Sequence, residues 1–342
     1  MNKPVTLKDI ARETEVDVST VSRALDPRTR TMLTSEVVDR VCTAARRMGY
    51  RKNHIARGLR TRRSMIVGML LPDITNTVFA AIVRGAESVF EPHGYAPIIV
   101  NTDDDPRRED ALFNVLLERG VDGILDVAAR RENSRSKAAG YADVPIVTAN
   151  REIEKSSIPS VVNDDAEGIR LMVQHLHDCG HRRIAHVAGP ATTSTGRKRA
   201  SAFRRATGEL GLALPGAAVA EASRYDESEG RRCAELLLGG RFAFTAIACA
   251  NDRLALGAID ALGRRGLTCP EDVSVTGFND IPFLNLVPPG LTTVRVQQFG
   301  VGRLSAELLI KMMTDPGATV PRTTILPVTS IERGSVAAPK PI

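Results

Sequence analysis

The apolar positions of the first fifty residues fall at helical spacing, in three short runs separated by polar turns. Leu7, Ile10 and Ala11 share one face of a helix whose start is marked by Thr6, a capping hydroxyl, and by Asp9 three residues on. The pattern fades at Thr14 and Glu15. Asp17 offers a second cap, and on the helix that follows Val21 and Leu25, four apart, turn inward and leave Val18, Ser19, Ser22 and Arg23 outward. A third helix is expected from Thr34 or Ser35, with Val37, Val41, Ala44 and Met48 in register, Val38 and Ala45 widening the stripe, and Gly49 as its stop. Two short helices around a tight turn, closed by a third, predict a helix-turn-helix.

Beyond residue 63 the period changes. Short apolar runs at 66–71, 98–100, 123–127, 146–149, 184–188, 246–249 and 273–277 alternate with amphipathic stretches, the pattern of parallel α/β units. More than six such strands predict two sheets rather than one. Ligands of open parallel sheets lie beyond the carboxyl ends of the strands, so the cleft between two lobes is the expected pocket. Its candidate residues are the polar ones that follow strands: Asp73 and Asn76, Asn150 and Arg151, Asn251 and Asp252, Asn279 and Asp280. Taken singly, an Asn or Asp after a strand is more often a helix cap than a ligand contact.

Charge sharpens the division. The chain carries a net +6, yet residues 1–63 hold 15 Lys and Arg against 7 Asp and Glu, and everything after is slightly acidic. A basic head on a near-neutral body is the electrostatic footprint of a polyanion partner, DNA first among them. Residues 50–63 are basic throughout, with Ile55, Ala56 and Leu59 as their apolar side chains. They are too few for a stable isolated helix, and Gly58 weakens it further. On the residues alone this segment is either a charged linker or a helix that orders on DNA, where Leu59 wedges into a minor groove.

Other chemistry finds little support. The five cysteines (Cys42, Cys179, Cys233, Cys249, Cys269) form no CxxC pair, so no disulfide and no zinc are expected. His175, His177, Cys179 and His181 suggest a metal site, but Gly180 ends the helix and turns His181 away; the acidic run 103–105 reads as a loop capping the next helix. Phosphate-loop, nucleophile-elbow and dinucleotide fingerprints are absent, and no apolar run is long enough to span a bilayer. No enzyme, no cofactor, no membrane and a cytoplasmic setting are therefore expected.

The stretches Val5-Thr6-Leu7-Lys8-Asp9-Ile10-Ala11 and Val18-Ser19-Thr20-Val21-Ser22-Arg23-Ala24-Leu25, then Gly49-Tyr50 and residues 53–59, closely resemble the lac and galactose repressor family. The likeness continues through Pro72-Asp73-Ile74-Thr75-Asn76, Val121-Asp122-Gly123-Ile124, Gly180-His181-Arg182-Arg183-Ile184, Ala250-Asn251-Asp252, Gly277-Phe278-Asn279-Asp280 and Leu291-Thr292-Thr293-Val294. This resemblance implies that Asp17, Val18, Ser19, Thr20, Ser22 and Arg23 face DNA, with Val18 and Ser19 varying with operator sequence. Thr6, Asn53 and Ala56 complete that face, and Leu59 stands where the family's hinge leucine intercalates, which favours the DNA-ordered helix. It further implies that Asn150, Arg199, Asn251 and Asn279 contact an effector and that Phe79 walls the cleft. Two departures stand out: the connection 26–33 is longer and basic, and Asn150 and Asn279 replace the Asp of several sugar-binding relatives, which points away from a simple neutral sugar as effector.

The expected fold is thus α plus α/β: a three-helix helix-turn-helix headpiece (1–49) and a hinge helix (50–63), then a two-lobed α/β periplasmic-binding-protein-like domain (64–342). Its N-lobe is expected at 64–162 and 291–322 and its C-lobe at 163–290 and 323–334, with crossings near Val162, Pro289 and Thr324. The expected partners are a palindromic operator, a small effector (a sugar or sugar acid) and a second copy of the chain. The tail carries no leucine heptad and so predicts no tetramer. A DNA-bending protein without a sensor, and an enzyme fused to a DNA-binding head, are the alternatives.

Overall fold

The computed structural model describes residues 5–26, 29–50, 63–132 and 144–340. The chain divides into two compact units, residues 1–64 and 65–342.

The first unit is three helices around one small core: α1 (Leu7–Thr14), α2 (Val18–Ala24) and α3 (Ser35–Arg47). Thr6 and Asp9 form a reciprocal capping box, each satisfying a backbone N–H at the start of α1. Glu15 ends α1 in the left-handed region (φ 51°), which makes the turn into α2 tight. Asp17 stands at the N-cap of α2, but its carboxylate makes no capping bond. Ile10, Val21, Ala24, Val41, Ala44 and Ala45 are the buried interior. Leu25, expected inward, is only half-buried, because Ala24 turns in ahead of it.

The second unit holds two parallel sheets. The first has six strands, β1 (Ile66–Leu71), β2 (Ala96–Asn101), β3 (Gly123–Asp126), β4 (Ile146–Ala149), β5 (Ser160–Asn163) and β11 (Thr323–Leu326), in the order β11-β5-β4-β3-β1-β2. The second has four, β6 (Ile184–Ala188), β7 (Val219–Glu221), β8 (Ala246–Cys249) and β9 (Ser274–Thr276), in the order β7-β6-β8-β9. The inner strands, such as β1, β6 and β8, are buried on both faces, as parallel sheets flanked by helices require, and so read as continuous apolar runs, whereas the edge strands β2 and β11 are largely exposed. Helices α4 (Thr77–Phe90), α5 (Pro106–Glu118) and α10 (Gln298–Thr314) belong to the first lobe. The second lobe carries α6 (Asp165–Asp178), α7 (Ser194–Glu209), α8 (Glu227–Leu238) and α9 (Asp252–Arg264). Gly85 and Gly302 let α4 and α10 touch backbone to backbone, since a Cβ at either would overlap a carbonyl of the other helix.

Two lobe boundaries differ from the sequence reading. The chain leaves the first sheet after Asn163, but its return comes near Gln297 rather than Pro289. Thr292 and Arg295 still bridge Thr276 and Asn279 of the second lobe, and only then does the Gln297 N–H donate to Asn163 Oδ1 (3.0 Å). The last crossing comes after Leu326, because 323–326 form the β11 edge of the first sheet instead of entering the second lobe. From there β12 (Thr329–Ile331) runs antiparallel to β10 (Thr293–Arg295).

Candidate functional site

Two surfaces carry the residues singled out by sequence, one in each unit. In the headpiece, burying Val21 and Ala24 fixes the roll of α2 and leaves Val18, Ser19, Ser22 and Arg23 exposed on the opposite side. Asp17 and Thr6 are exposed near the helix starts and Thr20 is half-buried. Short side chains at the start of a helix let its backbone approach closely, the geometry a major groove accepts. The basic connection is tied back to α2, since Thr29 Oγ1 donates to the Arg23 carbonyl (3.1 Å) before a single 3-10 turn at Arg30–Met32. Asn53, Ala56 and Leu59 lie outside the described residues.

In the second unit, a cavity of about 250 Å3 opens between the lobes, beyond the carboxyl ends of the strands. Of the ten residues expected there, the structure brings eight to its wall: Asp73, Asn76 and Phe79 from the first lobe, with Asn150 and Arg151, and Arg199, Asn251 and Asn279 from the second. The choice between cap and pocket proves to be no choice. Asn76 Oδ1 accepts from the Val78 N–H (3.1 Å) at the start of α4, and Asn251 Oδ1 accepts from Leu254 N–H (2.8 Å) at the start of α9. Each cap consumes the amide oxygen and leaves the NH2 group for the cavity. Asn150 (φ 65°) and Asn279 (φ 120°) follow β4 and β9 in positive-φ backbone that Asn tolerates better than most residues, and neither side-chain amide has a partner among the described residues.

Arg199 is held rigidly. Its Nε donates to Asp165 Oδ1 (2.8 Å) and its Nη1 to the Ala250 carbonyl (2.7 Å), while the guanidinium lies 3.8 Å over the Phe278 ring. Burial pushes the Asp165 carboxyl above its usual range and the adjoining Arg199 pulls it back only in part. The other arginines of the wall are paired as well: Arg151 with Asp104 (2.8 Å), Arg224 with Asp226 (3.2 Å) and Arg253 with Asp73 (2.9 Å). Asp252, a strand-end candidate, sits behind the wall instead. Thr293 Oγ1 donates to it (2.5 Å), as does the Ile281 N–H (2.9 Å), and burial raises its carboxyl to about 6. Asp280 is likewise occupied, between Arg295 and Arg333.

Sequence reasoning missed Asp103, Asp104, Thr195, Arg224, Tyr225, Asp226 and Arg253 at the wall. Asp103 and Asp104 follow β2 and obey the strand-end rule that found Asp73, so the signal was present. Arg224 and Tyr225 follow β7, whose three residues are too few to show a period. Of the His/Cys group only His181 is buried, between Thr245 Oγ1 (2.8 Å) and the Ala337 carbonyl (3.0 Å), while His175, His177 and Cys179 are half-buried on or beside the end of α6. Among the described residues no three His, Cys, Asp or Glu side chains are grouped to hold a metal.

A family model described as "Periplasmic binding protein-like domain" matches residues 173–336. Catabolite control protein A of Priestia megaterium is 32% identical over 312 residues, spanning 90% of this chain and 92% of that protein. The chain belongs to the lac and galactose repressor family. Another relative, the transcriptional repressor PurR of Haemophilus influenzae (strain PittEE), is 29% identical over 90% of this chain and 91% of its own. Among solved structures, the lac repressor dimer bound to operator and the anti-inducer ONPF aligns with a TM-score of 0.85 at 25% identity, over 98% of this chain and 100% of that one. The CelR–cellobiose complex aligns at 0.74 and 25%, over 97% and 99%. As a member of this family the regulator is a DNA-binding transcription factor, built as a helix-turn-helix headpiece and a periplasmic-binding-protein-like body. No helix among its described residues is long and apolar enough to cross a membrane.

Proposed function

We propose that the regulator works in the cytoplasm as a homodimeric repressor, catalyses nothing, and releases or grips a palindromic operator according to an uncharged, monosaccharide-sized effector held between its lobes. The observation that carries the effector class is the charge balance of the cavity: every arginine among the described residues of its wall faces a carboxylate partner, so none of them is left unpaired for an acidic ligand. The groups that remain for a ligand are mainly amide: the NH2 groups of Asn76 and Asn251 and the whole amides of Asn150 and Asn279, beside the paired hydroxyls of Thr195 and Tyr225 and an apolar face at Phe79. These groups read hydroxyl and ring oxygens. At about 250 Å3 the cavity is below the usual range for drug-sized ligands, which fits a single sugar ring and narrows the expected sugar or sugar acid to the neutral sugar.

The dimer reading rests on exposed apolar surface. Phe283, Leu286 and Val287 are more than half exposed on one loop, and Ile98 and Ile99 are exposed on β2, an edge strand. A second copy that covers them removes both an apolar patch and an open edge. In the same reading α2 of each headpiece enters a major groove, and Asn53, Ala56 and Leu59 serve as a hinge at the operator centre.

The test is a ligand panel. Operator affinity of the full chain, measured at fixed salt with neutral monosaccharides and with the matching sugar acids, should change with at least one neutral sugar. That sugar should act at a concentration at least about tenfold below its acid, a factor equal to about 1.4 kcal/mol of discrimination. A response to acids alone would overturn the effector class. Turnover of an effective sugar would indicate an enzyme instead, and tight binding indifferent to sequence and to every ligand would indicate an architectural protein.

A further inference from the structure

Arg253 opens α9 in the second lobe, and its guanidinium faces two ways. Nε and Nη2 grip both carboxylate oxygens of Glu227 in the same lobe (2.8 Å each), while Nη1 reaches across the cleft to Asp73 Oδ2 of the first lobe (2.9 Å). The two-point grip fixes the guanidinium plane before it meets Asp73, so little side-chain freedom is lost in making the crossing bond. Asp73 is equally prepared: its Oδ1 accepts from the N–H (2.9 Å) and hydroxyl (2.6 Å) of Thr75, which leaves Oδ2 aimed outward. Burial alone would raise the Asp73 carboxyl, yet the bonds from Thr75 and Arg253 hold it below the ordinary range. Both side chains line the cavity, although the two residues lie 180 apart in the chain.

We propose that Glu227, Arg253 and Asp73 form an electrostatic latch that holds the lobes together before any effector arrives. A latch of this kind sets the fraction of molecules already closed, and the apparent affinity of any ligand that needs the closed form scales with that fraction. It acts on the lobe equilibrium itself and needs no ligand to be observed.

Two other amides cross the cleft and report closure independently. The Arg131 N–H donates to the Thr192 carbonyl (3.1 Å) and the Glu152 N–H to Ser194 Oγ (2.9 Å). Hydrogen exchange of these two amides, followed in the full chain without ligand, therefore tests the latch at a distance from it. Asp73→Asn and Arg253→Gln should each speed their exchange about three- to fivefold, the upper part of the range for a part-exposed charged contact. The double variant should do no more than either single one, and Asp73→Glu should stay within about twofold of the parent chain. If either single variant leaves both amides as protected as before, or if the two effects multiply in the double variant, the latch is refuted. Exchange that quickens only around residues 73–79 has the same consequence, since it reveals a local loop effect.

Discussion

Asp165→Ala is expected to lower the stability of the body by about 3–5 kcal/mol, the loss found when one partner of a buried ion pair is removed. Arg199 and Asp165 have only 4% of their side chains exposed. Without the carboxylate, Arg199 keeps one carbonyl and an aromatic face, which do not neutralise a buried charge. In a domain of this size the change corresponds to a drop in Tm of about 6 °C or more. Asp165→Asn should lose less, because an amide oxygen still accepts from Nε. Adding Arg199→Met to Asp165→Ala should recover part of the loss, since the stranded charge is then gone. Thermal unfolding of the three variants checks the order, and equal losses in all of them would contradict it. Operator response to the effector should disappear in Asp165→Ala, as Arg199 no longer holds its place in the wall.

Ser22→Glu is the second large effect, and it falls on DNA. Ser22 is exposed on α2, away from Ile10 and Val41, so folding should change by less than about 0.5 kcal/mol. A carboxylate there faces phosphates or acceptor-rich base edges in both half-sites of a dimer, and like-charge contact across an interface costs several kcal/mol. Operator affinity should fall about 100-fold or more at fixed salt, with an unchanged melting temperature. An affinity within threefold of the parent would show that α2 does not read the duplex.

Much of this architecture was legible in the residues, and the reasons are physical. Headpiece helices declare themselves through a capping box at Thr6 and a narrow apolar stripe, because a core of a few side chains tolerates no other spacing. The cavity wall was legible where a strand is long enough to be seen and an Asn follows it, as at Asn251, since the geometry that ends the strand also starts the next helix at the cleft. What escaped was either too short or too distant. β7, β10 and β12 have three residues each, less than two full periods of a strand. The lobe crossing was misplaced because β11 exposes Thr323 and Ile325, so it lacks the continuous apolar run of the inner strands. The pairings of Arg199 with Asp165 and of Arg253 with Asp73 leave no local mark, as nothing near either arginine signals its partner.

The central claim, that this chain reads a symmetric DNA site and reports a ligand, is tested most directly by selecting binding sites for the full chain from random-sequence DNA at low ionic strength. The account predicts enrichment of inverted half-sites about one helical turn apart, centre to centre. Recovery of DNA without any shared palindrome, at the same salt, would contradict it.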